Sequence, residues 1–197
     1  GLASSLGPAT RAAYDALHQA DSIVIDPHKH GLQPYGCGSV LFRDPTVGRF
    51  YRHDSPYTYF TSAELHLGEI SLECSRPGAA AVALWATQRL LPLVPGGEFA
   101  AMLDRGRAAA LALHAHLAGD SRFITPFVPE LDILVWAVAA PSAGEASAKA
   151  RTLFSRAAEL GLHLALIDLP LGMVDPDGTR FSADHAKGAL TRRQASS

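Results

Sequence analysis

The stretch DPHKHG, residues 26–31, sets a lysine between two histidines. The chain holds only three lysines, Lys29, Lys149 and Lys187, against 14 arginines, so a lysine kept here stands out from the composition. An amine held in a rigid, partly desolvated loop has a depressed pKa and can attack a carbonyl carbon to form an imine. The ordinary role of a loop lysine is a solvated surface charge. Three features pull Lys29 away from that role: Pro27 and Pro34 stiffen the loop, apolar runs flank it, and arginine fills nearly every other basic position. In open α/β sheets, ligands collect at loops beyond strand ends, which is where this loop would lie.

The elements that must position Lys29 follow from periodicity. Residues 8–20 carry apolar side chains at helical spacing, with Pro8 suited to a first turn. Residues 21–26, DSIVID, form a short β-branched run that predicts a buried strand. Two prolines and three glycines make 27–38 a loop, and SVLFR (39–43) predicts the next strand, giving a strand–loop–strand unit. Residues 44–62 show no sustained period and predict a long excursion, of the kind that is often functional. From Pro77 to Leu93 the sequence is almost all apolar and predicts a helix buried on most sides. Pro92, Pro95 and the Gly96–Gly97 pair then break the chain and mark a domain boundary. Beyond it, the pattern predicts helices over 98–119 and 142–161, capped by Gly119 and Gly161, and strands over 131–139 and 162–168. The polar tail from Asp175 is expected to be frayed.

These motifs, in this order, carry a resemblance. DPHKHG followed by PYGCGSVLFRD, then HDSPYTYF (53–60), then LGEISLECSRPGAAAVALWATQRLLPL (67–93), resembles three successive segments of the group II amino acid decarboxylases. That family includes aromatic amino acid, glutamate, histidine and diaminobutyrate decarboxylases. Its fold is α/β, the fold type I of pyridoxal-phosphate-dependent transferases. The resemblance implies that residues 1–95 are the C-terminal part of the cofactor-binding large domain and residues 96–197 the small C-terminal α/β domain. It implies pyridoxal 5′-phosphate as cofactor, bound as a Schiff base on Lys29. His28 would contact the cofactor phosphate, and Ser22 would lie near it; otherwise His28 is a loop histidine capping a backbone group. A tyrosine of a mobile loop would protonate the substrate carbon over the neighbouring subunit's site. SPYTYF offers both Tyr57 and Tyr59 for this role, with Tyr57 favoured; aromatic packing under a surface loop is the structural alternative.

Arg76 could hold an oxyanion of substrate or cofactor bidentately, with Ser75 adding a hydroxyl. An arginine just before a helix is equally a common ion-pair partner. His53, His66, His114 and His116 form no cluster in the sequence, and Cys37 and Cys74 read as small packed hydrophobes. No metal site is expected. The family also uses an aspartate under the pyridinium nitrogen and a histidine stacked on the ring, both from segments preceding the lysine. GLASSL resembles the continuation of the aspartate segment, so both groups are expected from an N-terminal half, supplied as a cleaved segment or a separately encoded chain, or belonging to a longer protein of which this sequence is a fragment.

The bulk composition fits this picture. Hydrophobic residues make up 48% and charged ones 18%, a globular balance. A net charge of −2 supplies no basic footprint for nucleic acid or a membrane surface. No apolar run approaches the roughly 20 residues that span a bilayer. Two cysteines form no disulfide framework, which agrees with a cytoplasmic setting. The expected function is decarboxylation of a small L-amino acid by a homodimer of assembled protomers. The alternatives are a related lyase or aldehyde synthase using the same cofactor, or a non-catalytic interaction subunit that keeps the fold.

Overall fold

The computed structural model describes residues 6–52 and 78–181. The chain divides into two compact units between Met102 and Leu103. In the first unit, α1 (Pro8–Asp15) continues into a 3-10 turn over Ala16–Gln19. Proline at its first turn starts the helix without wasting a backbone donor. Strands β1 (Ser22–Ile25) and β2 (Ser39–Phe42) then pair antiparallel, Ser22 opposite Phe42 and Ile25 opposite Ser39. The predicted strand–loop–strand unit is therefore a hairpin closing the loop 26–38.

A second 3-10 turn, Pro45–Phe50, follows; Asp44 caps it by accepting from the Thr46 amide at 2.9 Å and the Thr46 hydroxyl at 2.7 Å. Helix α2 (Ala79–Leu90) ends the apolar segment. The expectation of buried elements fails for both β1 and α2. Val24 is 70% exposed, Val40 56%, Trp85 63% and Leu90 80%, and α2 has no buried residue. The physical reason is that nothing in the described residues lies over these apolar faces.

Helix α3 (Glu98–Ala118) matches the predicted 98–119 helix and buries Phe99, Ala100, Ala110 and Leu117. In the second unit, β3 (Phe123–Ile124) pairs antiparallel with β4 (Ala137–Val138). The long strand expected over 131–139 shrinks to these two residues, and 162–168 forms no ladder among the described residues. Apolar content alone does not pair a strand; Ile133, Leu162 and Ile167 stay 68%, 59% and 64% exposed.

Helix α4 (Ala143–Glu159) is specified locally at both ends. Ser142, only 2% exposed, caps it by accepting from the Glu145 amide at 3.3 Å, the serine and glutamate of a capping box. At the other end Gly161 adopts φ +76°, its amide donates to the Ala158 carbonyl at 3.0 Å, and the Leu162 amide donates to Ala157 at 2.8 Å. This is a Schellman ending, which favours glycine at that position. After α5 (Leu171–Val174), the predicted fraying is corrected up to Phe181. The Asp175 carboxylate gathers the amides of Thr179, Arg180 and Phe181 at 2.9, 3.0 and 3.1 Å, and Phe181 is buried. None of the helices among the described residues is long and apolar enough to cross a membrane.

Replacing Ser142 by Ala should cost about 0.5–2 kcal/mol of stability, and replacing it by Gly only a few tenths, measured by denaturant unfolding.

Candidate active site

The loop closed by β1 and β2 places the lysine. Lys29 closes a turn in which its amide donates to the Asp26 carbonyl at 3.0 Å. Its ammonium lies 2.8 Å from the Asp26 carboxylate, and its side chain is 66% exposed. The hydrogen bond that Lys29 donates to Asp26, reinforced by the charge of the same carboxylate, raises the Lys29 pKa above the ordinary lysine value. The reciprocal bond lowers Asp26. A partly desolvated amine of depressed pKa was expected from the sequence; the amine is instead exposed, and its Asp26 partner favours the ammonium form. The reason is local: Asp26 stands three residues before Lys29 on the same turn.

The loop returns to β2 under tight constraint. The Gln33 amide donates to the Pro27 carbonyl at 3.2 Å. A Cβ built on Gly31 would lie 2.6 Å from that carbonyl oxygen, so only glycine fits. Leu32 takes a left-handed backbone, φ 57°, which costs a branched side chain strain. Gln33 is 7% exposed and donates through Nε2 to the carbonyls of Gly31 (3.3 Å) and Leu32 (3.1 Å) and to Thr87 Oγ1 of α2 (2.7 Å). Cys37 is buried with its Sγ 3.8 Å from the Ala80 carbonyl, so it packs against α2 as expected of a small hydrophobe.

His28 stacks on Tyr35 with ring centroids 4.9 Å apart, and its Nδ1 is buried with no hydrogen-bond partner. An orphaned buried ring nitrogen beside an accessible amine is a polar vertex that a phosphate or other anionic group could fill. Ser22, at the far end of β1 across from Phe42, is not brought to Lys29; the strand between spans roughly 10–13 Å at about 3.3 Å per residue. Tyr57, Tyr59, Ser75 and Arg76 lie outside the described residues. Sequence reasoning missed Asp26, Gln33 and Thr87. Asp26 carried a signal, an acid at i−3 from the lysine, whereas Gln33 and Thr87 stand 54 positions apart and carried none. Among the described residues no three metal-ligating side chains gather.

No family model matches the chain. It is similar to L-tyrosine decarboxylase of Levilactobacillus brevis, 39% identical over 88 residues, covering 44% of this chain and 14% of that protein. It is similar to L-tyrosine decarboxylase of Enterococcus faecium, 31% identical over 132 residues, covering 62% of this chain and 22% of that protein. The chain thus spans about a fifth or less of the length of these relatives. Among solved structures, mouse CSAD shares the fold with a TM-score of 0.66 at 16% identity, over 94% of this chain and 42% of that one. The α/β fold type I class expected from the sequence is the fold observed. The resemblance to the group II amino acid decarboxylases holds.

The raised Lys29 pKa has a definite sign. The ion pair with Asp26 stabilises the loop at neutral pH, and that contribution is lost as pH rises through the raised lysine pKa or falls through the lowered aspartate pKa. Asp26→Asn should therefore bring Lys29 back toward the ordinary lysine range. Its reductive labelling by a small aldehyde near pH 8 should speed up several-fold, with Lys149 labelling unchanged, as read by peptide mass spectrometry.

Proposed function

We propose that this chain carries the cofactor-attaching lysine of a pyridoxal-phosphate-dependent L-amino acid decarboxylase, which releases the amine and carbon dioxide. The observation that carries the reading is the placement of Lys29 and His28 together. An accessible amine and an unpartnered buried ring nitrogen share one hairpin loop, in a chain similar to proteins named L-tyrosine decarboxylase. These two residues fit the cofactor: Lys29 offers the amine for its aldehyde, and His28 Nδ1 offers a donor to its phosphate. When bound, the cofactor supplies an electron sink for the bond broken at the substrate α-carbon.

The chain's own groups would do the rest. Lys29 must first lose its proton, which requires its pair with Asp26 to part. In the same proposal, Tyr57, or Tyr59 beside it, returns a proton to the substrate α-carbon. Arg76 with Ser75 holds a carboxylate. The substrate to try first is L-tyrosine, after the two relatives' names.

The remainder of the site comes from an N-terminal half of the same enzyme, as a separate chain or cleaved segment. What supports this partner is the exposed apolar surface of one unit: Val24, Ile25, Val40, Leu41 and Phe42 on the hairpin, and Val82 and Trp85 on α2. Such a surface is ordinarily covered in a stable protein. Assembled protomers would pair as a homodimer in the cytoplasm.

The test is borohydride reduction of the purified protein with pyridoxal 5′-phosphate, followed by peptide mapping, with carbon dioxide release assayed on the protein assembled with its N-terminal half. A phosphopyridoxyl adduct at Lys29 is expected. Lys29→Ala should remove it and lower release from L-tyrosine by at least the roughly 10²-fold that a positioned catalytic group supplies. An adduct spread evenly over Lys149 and Lys187 overturns the reading, and aldehyde in place of amine as product would move the reaction to the aldehyde synthases.

A further inference from the structure

The lysine loop contains a strained residue, and strain persists only where its surroundings over-determine it. Leu32, at φ 57°, is flanked by two carbonyls, its own and that of Gly31, and both accept from Gln33 Nε2. The same amide nitrogen reaches across to Thr87 Oγ1 at 2.7 Å, the shortest of the three bonds. Thr87 in turn donates to the Ala83 carbonyl at 3.0 Å, which leaves its oxygen free to accept and fixes the direction of the Gln33 bond. The Gln33 side chain is buried, and its Oε1 has no partner. The two Nε2 hydrogens are shared among these three acceptors, and their bonds offset the cost of leaving Oε1 unpaired. Beneath it, the Gln33 backbone amide donates to Pro27, two residues before Lys29. One residue therefore ties both limbs of the loop to each other and to α2.

We infer that Gln33 is a positioning residue for Lys29: through Thr87 it pins the lysine loop to α2 and so presents the amine, with His28 beside it, in one orientation. This rests on the reading of Lys29 as the cofactor-attaching residue. Gln33 does not meet the cofactor itself; it acts by restricting the loop. A loop free to sample other conformations offers the amine and the His28 nitrogen together for a smaller share of the time, and capture of an aldehyde phosphate needs both at once.

The experiment uses the full chain and needs no turnover. Pyridoxal 5′-phosphate is added, trapped with borohydride, and the ratio of adduct at Lys29 to adduct at Lys149 is measured by peptide mass spectrometry from pH 7 to 9. Lys149, whose Nζ bonds the Ala139 carbonyl at 3.1 Å, belongs to the other unit and serves as the internal reference. Thr87→Val keeps the shape and removes the acceptor, whereas Thr87→Ser keeps the hydroxyl and removes a methyl. Gln33→Leu removes the donors.

The ratio should fall about three- to tenfold in Thr87→Val and Gln33→Leu, stay near wild type in Thr87→Ser, and fall no further in the double variant, since both changes cut one link. Pyridoxal without the phosphate should show little dependence on either substitution. An unchanged ratio in both Thr87→Val and Gln33→Leu overturns the inference. So does a fall in Thr87→Ser with Thr87→Val unaffected, which would make packing the cause. A wild-type ratio near one instead overturns the underlying reading of Lys29, and so separates the two failures.

Discussion

The antiparallel pairing of β1 with β2 is the constraint on which the site depends. Four residue pairs hold the two limbs of a loop running from 26 to 38 within hydrogen-bonding distance, and every polar feature of the site is a consequence. With the ends fixed, the loop must reverse direction in a small space. Gly31 meets the Pro27 carbonyl too closely for any side chain, and Leu32 is forced into the left-handed region. The ladder alone does not determine the interior of so long a loop. The determination comes from Gln33, whose backbone closes the loop on itself and whose side chain closes it on α2.

The electrostatics of Lys29 follow from the same turn. Asp26 stands where the chain leaves β1, and the turn at Asp26–Lys29 brings carboxylate and ammonium to 2.8 Å. Exposed pairs of this kind contribute little to stability, because water screens them and two side chains must be ordered. The pair is therefore easily parted. The carboxylate favours the ammonium form of Lys29, and any group that covers the loop would change the balance. Burial penalises the ammonium and would lower its pKa, in opposition to the carboxylate beside it.

Much of this was legible in the sequence, and the limit falls between local and long-range signals. The helix over 143–159 was read at its C-terminal end from Gly161, which acts within a few residues, and Ser142 with Glu145 is an equally local signal at the other end. The hairpin was readable because β-branched runs flank a proline- and glycine-rich loop. Lys29 was singled out by rarity and context, and His28 only through the family resemblance. The pairing of Gln33 with Thr87 was invisible, since neither residue type at such a separation announces a contact. Burial was misread for a related reason. Apolar character in β1, α2 and 162–168 reports what a segment prefers to touch, and it does not say whether that surface lies within the same chain.

That distinction bears on the architecture. A strand buried on both faces and one with both faces in water can have the same sequence pattern. Ile23 and Leu41 face each other on one side of the hairpin and Val24 and Val40 on the other, so both sides are apolar, as in a strand pair interior to a larger sheet. An isolated two-stranded hairpin is marginal in water and needs further strands or a packed helix. Helix α2 reaches the hairpin at its loop, through Gln33 and Cys37, and leaves Val82 and Trp85 exposed. Among the described residues, the lysine loop is tied to α2 while Val24, Val40 and Leu41 of the strands stay exposed. Such a unit leaves apolar hairpin surface exposed on strands whose loop is internally fixed.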